Sequence, residues 1–420
     1  MKMNKTIFNT LSKLILTLVV LCCFYVVSMI LVQYIPNKCI KDNVISSAKT
    51  LQKEEMYRQI CPQYPLGQYR RLDNYTDCLM IDIAMSTQDS DAVESAMLNV
   101  YYGDDSMPYE LEDVARGNTE KLKAHTYGRY WHGYLLVLKP LLVLMDYESI
   151  RLLNGLFFIV ICGLCLYLIS KRINKTIALL FAVLLLYFNF YIIPFSLQNS
   201  NVTYIALISV CIVLAFPNIV KDTSASCITF CVIGSLTSFF DLLSFPYLTL
   251  GIPLFFAFLQ QEGKYKMKQI IMICICWIFA YAISWGCKFV VGSLLTGVDI
   301  LEDARKTMLI RTSGEMGGIR HIAGALLMNL IPAIVLLCML PVYLKNLKPK
   351  EILKKYSPIL LLACITPVWF IALRNHSFVH GTLFTFRGWI LPFLCVFSYM
   401  YYTIDFTKLH SKYKLITNSK

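Results

Sequence analysis

Between residues 374 and 387 the chain reads RNHSFVHGTLFTFR, with two arginines, two histidines and an asparagine set between apolar segments. Arginine offers paired N–H donors to a phosphate, and histidine adds shorter-range hydrogen bonds. Asn375, His376, His380 and Arg387 are therefore candidates for the wall of an anion site. The plainer alternative is a hairpin anchored at a membrane interface by its arginines and hydroxyls. A second stretch, HTYGRYWHGY, places His125, Arg129 and His132 among aromatic residues. Such a mixture suits a sugar phosphate, because aromatic rings stack on sugars, and equally suits an interfacial belt with snorkelling arginine. Asp241 ends an apolar segment just before LLSFP, where a charge is costly unless it faces a cavity or a partner. A turn-forming aspartate is the alternative there. RTSGEMGGIRHI (311–322) carries Glu315, Arg320 and His321 in a glycine-rich run, which reads either as a mobile lid or as a plain connection. His376 and His380 are four residues apart, but two ligands without a third do not make a metal site.

These residues need a scaffold, and composition decides its kind. Of 420 residues, 57% are hydrophobic and only 15% charged, which is far from the usage of a soluble domain. Apolar stretches of about 20 residues are long enough to cross a bilayer. Ten such crossings are expected, at 13–35, 149–170, 176–195, 202–217, 226–241, 246–260, 269–291, 321–344, 357–373 and 388–404. The expected fold is an all-α polytopic membrane protein with a large, partly helical first outer loop. Its parts are 1–35 (N-terminus and first crossing), 36–148 (outer loop), 149–404 (helical bundle) and 405–420 (tail).

Most of the positive charge lies in short flanking segments such as KRINK (171–175), KYKMK (264–268) and KNLKPKEILKKY (345–356), the mark of cytoplasmic loops. Both termini are then cytoplasmic, and the polar stretches above lie together outside. The net charge of +13 is thus a topology signal, and no nucleic-acid partner is expected. Within the outer loop, TDCLMIDIAMS and ESAMLNVYY have helical periodicity, and 131–146 reads as a helix lying in the interface. Most of the 16 cysteines fall inside apolar spans and read as small hydrophobes, while Cys39, Cys61 and Cys78 sit in the outer loop.

The run YWHGYLLVLKPLLVLMDYESIRLLNGL, followed by a span and the basic turn KRINK, resembles GT-C superfamily membrane glycosyltransferases. Those of the glycosyltransferase 39 type take a sugar from a polyprenyl-phosphate carrier on the outer face. The resemblance covers about the first 200 residues in pattern and the rest in topology. It implies a lipid-linked sugar donor, a glycan or lipid acceptor, contact with membrane lipids, and no cofactor, with a divalent metal left open. It also implies a catalytic acid in the first outer loop, for which the nearest equivalents are Asp77 and Asp73 in LDNYTDCLM. This sequence departs from the family pattern in placing them well beyond the first span rather than directly behind it. Such an acid would remove the acceptor's proton, while cationic groups stabilise the departing phosphate. An N-cap role for the same aspartates is the alternative. Three other functions compete: a repeat-unit polymerase, a lipid-linked-oligosaccharide flippase or transporter, and a purely structural subunit.

Overall fold

The computed structural model describes residues 5–86, 91–103, 106–313 and 322–409. The apolar helix α1 (Lys5–Gln33) leads into a segment built from α2 (Lys41–Glu54), α3 (Asn74–Met85), α4 (Ala92–Leu98) and α5 (Met107–Arg116). A two-residue antiparallel ribbon, β1 (Tyr101–Tyr102) with β2 (Ala124–His125), and the short helix α6 (Leu135–Leu144) complete that segment. The bundle then runs through α7 (Tyr147–Arg172), α8 (Lys175–Tyr187), α9 (Leu197–Ala215), α10 (Thr223–Phe240), α11 (Leu248–Gln260) and α12 (Met267–Thr296). It ends with α13 (Ile300–Thr312), α14 (Ile322–Lys345), α15 (Lys350–Tyr356), α16 (Pro358–Ala363), α17 (Ile365–Ala372), α18 (Arg374–Val379) and α19 (Ile390–Thr403). The helix expected in TDCLMIDIAMS is α3, capped at its start by Asp73. The one expected in ESAMLNVYY is α4, which stops where Asn99 takes a left-handed conformation.

Among the described residues, seven helices are long and apolar enough to cross a membrane. They are Phe8–Gln33, Tyr147–Arg172, Leu197–Ala215, Thr223–Phe240, Met267–Thr296, Leu327–Lys345 and the broken run Lys350–Ala372. Large apolar side chains such as Leu16, Ile159, Leu294 and Leu337 are exposed on their outer faces, as lipid-facing positions should be. This is the architecture of an all-α, multi-pass membrane protein. The three other expected crossings differ from straight spans. Helices α8 and α11 have 13 residues and α19 has 14, each about 20 Å long against a hydrocarbon core of about 30 Å. In the first case the reason is local: Asn189 adopts a left-handed conformation after α8, and a 3₁₀ turn (Phe190–Phe195) follows. The 292–320 connection, expected as a loop, contains the helix α13.

The connections gather at two opposite ends. At one end Thr10 meets Ser224 (2.7 Å), Gln269 donates to Thr223 (2.7 Å), Asn174 to Tyr402 (3.0 Å), and Leu347 bridges Ile404. These are the basic segments of the sequence. At the other end the 36–148 segment docks on the bundle. Gly133 N–H donates to Phe239 O (2.9 Å), Trp285 to Arg129 O (2.6 Å) and the buried Lys288 to Ala96 O (2.9 Å). Asn375 donates to Ile310 O (2.6 Å) at the same end. Between the ends, α10 and α12 touch backbone to backbone: a Cβ on Gly234 would lie 2.5 Å from the Trp277 carbonyl. Small residues at such crossings let membrane helices approach without a packing void.

The joint between the 36–148 segment and the bundle centres on Arg151. Its guanidinium donates to Glu54 (2.7 Å) in α2, Asn74 (2.8 Å) in α3 and Phe195 O (3.0 Å) before α9, and lies 4.1 Å from the Tyr147 ring centre. Replacing Arg151 with Ala leaves Glu54 and Asn74 without their buried partner. The expected loss is about 3 kcal/mol, read as a lowered thermal unfolding midpoint in detergent; an unchanged midpoint would show the joint to be incidental.

Candidate functional site

The two acids of LDNYTDCLM are both held by protein groups. Asp73, 3% exposed, caps α3 by accepting from the Thr76 N–H (3.2 Å) and hydroxyl (2.8 Å). Burial nevertheless lifts its pKa to about 6, against the lowering effect of the Thr76 hydroxyl. Asp77 is fully buried and accepts from the Tyr147 hydroxyl, the Leu197 N–H (3.0 Å), the Gln198 N–H (3.2 Å) and the Ser196 hydroxyl (3.4 Å). It therefore caps the start of α9 from a different helix, satisfying N–H groups that have no partner within α9. Burial raises its pKa, and the Tyr147 hydroxyl and the Arg151 charge oppose that shift. A general base needs a lone pair free for the incoming proton, and four donors leave Asp77 little room for one. Asp82, which faces Ser86 (2.6 Å) and the Tyr102 N–H (3.3 Å), is pushed by burial to about 7.

The aromatic stretch is packed rather than open. Trp131 is fully buried, Tyr130 is 2% exposed and Tyr134 is 3% exposed, which leaves their rings no free face for a sugar. Trp131 packs edge-on to Tyr25, and Tyr130 stacks on Trp285. His132 has a left-handed backbone (φ 58°) and no exposure, with Nδ1 against the Tyr134 hydroxyl and Nε2 against the Tyr127 carbonyl, both at 2.9 Å. Burial drops its pKa to about 3, so it is a neutral ring with both nitrogens occupied. Arg129 pairs with Asp303 (3.0 Å) and lies over the Tyr127 ring (4.1 Å). His125 stacks on Tyr101. Trp131, Tyr130, Tyr134 and both His132 nitrogens are taken up by protein contacts, while Arg129 keeps a buried Nε without a partner.

A different set converges around Asp241. This residue ends α10, and its Oδ1 accepts from the Ser244 N–H (2.9 Å) and hydroxyl (2.6 Å) in a tight turn where Leu243 has a φ of 66°. Its Oδ2 is buried without a hydrogen-bond partner. Burial raises the carboxyl to about 6, with Ser244 and the charge of Arg311 pulling the other way. Arg311, at the end of α13, donates from Nη1 to His376 Nδ1 (3.1 Å). A guanidinium has no acceptor, so His376 Nδ1 carries no proton and the ring is neutral. Burial first, then His380 and Arg311, keep its pKa well below the ordinary value. The His376 and His380 ring centres are 4.7 Å apart; His380 stacks on Phe384, and its Nδ1 has no partner. Asn375 fixes α18 against α13 through Ile310 O and the Ser313 hydroxyl (2.9 Å).

Arg387 is fully buried in the 3₁₀ turn before α19. Nη1 donates to Leu383 O (2.7 Å), while Nε and Nη2 have no partner, and the group lies over the Phe386 ring (4.7 Å). Burial pulls its pKa down to about 9, with Tyr191 opposing. Two unpaired N–H groups on a buried cation are expensive unless an anion meets them. Arg320, His321 and Glu315 lie outside the described residues.

Of the sequence candidates, then, Asp241, Asn375 and His376 come together with His380, Arg387 lies further along the same 374–387 stretch, and Asp73, Asp77, Arg129 and His132 serve the packing. Arg311 and Ser244 are the members that sequence reasoning did not single out. The available signal for Arg311 was its place at the end of a helix that begins with Asp299, Glu302 and Asp303. Among the described residues no group of three or more His, Cys, Asp or Glu side chains is placed to hold a metal ion. Asn74 and Asn201 stand in glycosylation sequons, but Asn74 is fully buried against Glu54 and Arg151. Compared with protein-family models, curated proteins and solved structures, the chain matches none.

Replacing Asp77 with Asn puts an amide N–H₂ among four donors. It should destabilise the protein by about 1–3 kcal/mol, seen as a lower unfolding midpoint, whereas Asp241→Asn should leave the midpoint near that of the native protein. The reverse order of the two midpoints would assign the structural role to Asp241.

Proposed function

We infer that the protein is a membrane glycosyltransferase that moves a sugar from a polyprenyl-(di)phosphate carrier to a glycan or lipid acceptor. The observation that carries this reading is the Asp241 carboxylate. One oxygen is fixed by Ser244 and the other is free, beside the Arg311 cation and two histidines. In this scheme Asp241 takes the proton as the acceptor oxygen attacks the anomeric carbon. The bond from that carbon to the phosphate oxygen breaks, and the electron pair leaves with the carrier phosphate. Arg311 meets the charge that develops there. His376 and His380, held neutral, supply hydrogen bonds without competing for the phosphate.

The sided arrangement of the loops supports an active site outside the membrane. The basic segments gather at the end opposite Asp241, and short Lys- and Arg-rich connections belong in the cytoplasm. Both termini then lie inside, with ten crossings in which α8 and α19 are lengthened by their adjoining 3₁₀ turns. A flippase would need charged groups spaced along a path through the spans. Lys288, the clearest such residue, is instead tied to Ala96 O and Asn99 (3.1 Å).

The test is release of the free carrier from polyprenyl-phosphate and polyprenyl-diphosphate sugars by purified protein in lipid. A carboxylate base works only when ionised, and the Asp241 pKa is raised to about 6. Turnover should therefore fall about tenfold for each pH unit below that value and level off above it. Asp241→Asn should abolish turnover and Asp77→Asn should retain it. No carrier release with any acceptor, in protein that moves lipid-linked sugars across vesicles, would establish a transporter instead.

A further inference from the structure

Asp82, on α3 in the 36–148 segment, is a fully buried acid with few donors around it. Its Oδ1 accepts from the Ser86 hydroxyl (2.6 Å), and the single Tyr102 N–H is divided between Oδ1 and Oδ2 at 3.3 Å each. A buried carboxylate is costly to ionise unless a cation or several hydrogen bonds meet its charge. Asp77, on the same helix, shows the contrast: four donors hold it, and the Arg151 charge reaches it. Asp82 has neither.

The residue after Tyr102 brings a second acid. Gly103 (φ 107°) leaves room for the Glu110 side chain of α5, since a Cβ there would lie 2.4 Å from Glu110 Oε2. That oxygen is buried without a hydrogen-bond partner. Two carboxyls therefore flank the consecutive residues Tyr102 and Gly103, where the ribbon lies between α3 and α5. The remaining charged and titratable groups nearby do not offset them. Tyr134, ahead of α6, and Cys78, one turn back on α3, stand within the field of Asp82 and bring no positive charge. From α2, Lys49 acts on Glu112 instead. On the β2 side Lys123 is exposed and His125 stacks on Tyr101. Among the described residues the charge that reaches Asp82 is that of Glu110, which adds to burial in lifting its pKa to about 7, against Ser86 and Tyr102.

We propose that Asp82 and Glu110 form a proton-operated latch that holds the β1–β2 ribbon and the start of α5 against α3. With one proton between them the pair carries a single charge, and the ribbon stays seated. When that proton leaves, two like charges stand on either side of Tyr102 and Gly103 with little water to screen them. Opening to solvent then hydrates both. Movement is confined to the ribbon and α5, because Lys288 anchors the chain just before it through Ala96 O and Asn99 Oδ1. In the closed latch Asp82 titrates at about 7, and once opened to water at its ordinary 3.8. Between these values closing takes up a proton, so the closed form is favoured by acid and is lost as the pH rises toward 7. Above that value both forms lack the proton and the balance stays level.

The test is hydrogen–deuterium exchange of the full-length protein in lipid nanodiscs across this pH range, corrected for the intrinsic pH dependence of amide exchange. Peptides covering Tyr102 and the start of α5 should lose protection about tenfold per pH unit up to about pH 7 and level off above it. Asp82→Asn, whose uncharged amide stands in for the protonated carboxyl, should keep protection constant throughout. Glu110→Gln removes the neighbouring charge and leaves burial in place, so the slope should remain and its upper end should move to lower pH. Should Asp82→Asn fail to fold, the shift in Glu110→Gln still decides the matter. Protection that is level below pH 7 in the native protein, or a slope that survives Asp82→Asn, would overturn the latch. An unmoved upper end in Glu110→Gln would show that Asp82 acts without its partner, and would overturn it equally.

Discussion

The guanidinium of Arg151 reaches three parts of the chain that are far apart in sequence: Glu54, Asn74 and the Phe195 carbonyl. Each of its nitrogens has an acceptor, and the Tyr147 ring covers its face. A lysine in that place could present one charge but not a planar fork aimed in three directions. Directly beneath, Asp77 completes the same joint by accepting from Tyr147 and from the first N–H groups of α9. The 36–148 segment is thus bolted to α7 and the start of α9 by buried polar contacts. The packed aromatic layer around Trp131 and His132 has its own seat on the bundle, through Trp131 to Ser284 O and Gly133 to Phe239 O.

That joint also explains which parts of the molecule could be read from the sequence. Hydropathy located the long spans because twenty or so apolar residues in a row have few alternatives. Helical periodicity located α3 and α4 for the same local reason. Crossing lengths were less legible: the break after α8 depends on the left-handed turn at Asn189, which a hydropathy window averages away. Partnerships were the least legible. Asp77 reads as a catalytic acid by residue type, but its partners lie about 120 residues on. The resemblance to GT-C enzymes drew attention to that acid, and no comparison with known proteins supports the family. Asp241, Asn375 and His376 were found as polar residues at span ends. Arg311, which joins them, lay in a connection that looked like loop.

The buried polar groups near the Asp241 end stand apart from the rest of the interior, and the difference follows from solvation. Asp241 Oδ2 and His380 Nδ1 are buried there without a partner, as are Nε and Nη2 of Arg387 further along the chain, a state folding alone does not favour.

The cap on α9 has a bearing on how the protein is made. Asp77 is synthesised roughly 120 residues before the helix whose first N–H groups it satisfies. When the ribosome has finished the 36–148 segment, α7 and α9 do not yet exist, so Asp77 lacks the donors that lie beyond its own helix. It must wait, incompletely assembled, while three further helices are made. Synthesis runs from one end of the chain to the other, but completion runs backwards, and an early segment is finished by a late one. A nascent chain that ends before Leu197 therefore lacks the backbone N–H groups that Asp77 accepts from in the finished protein.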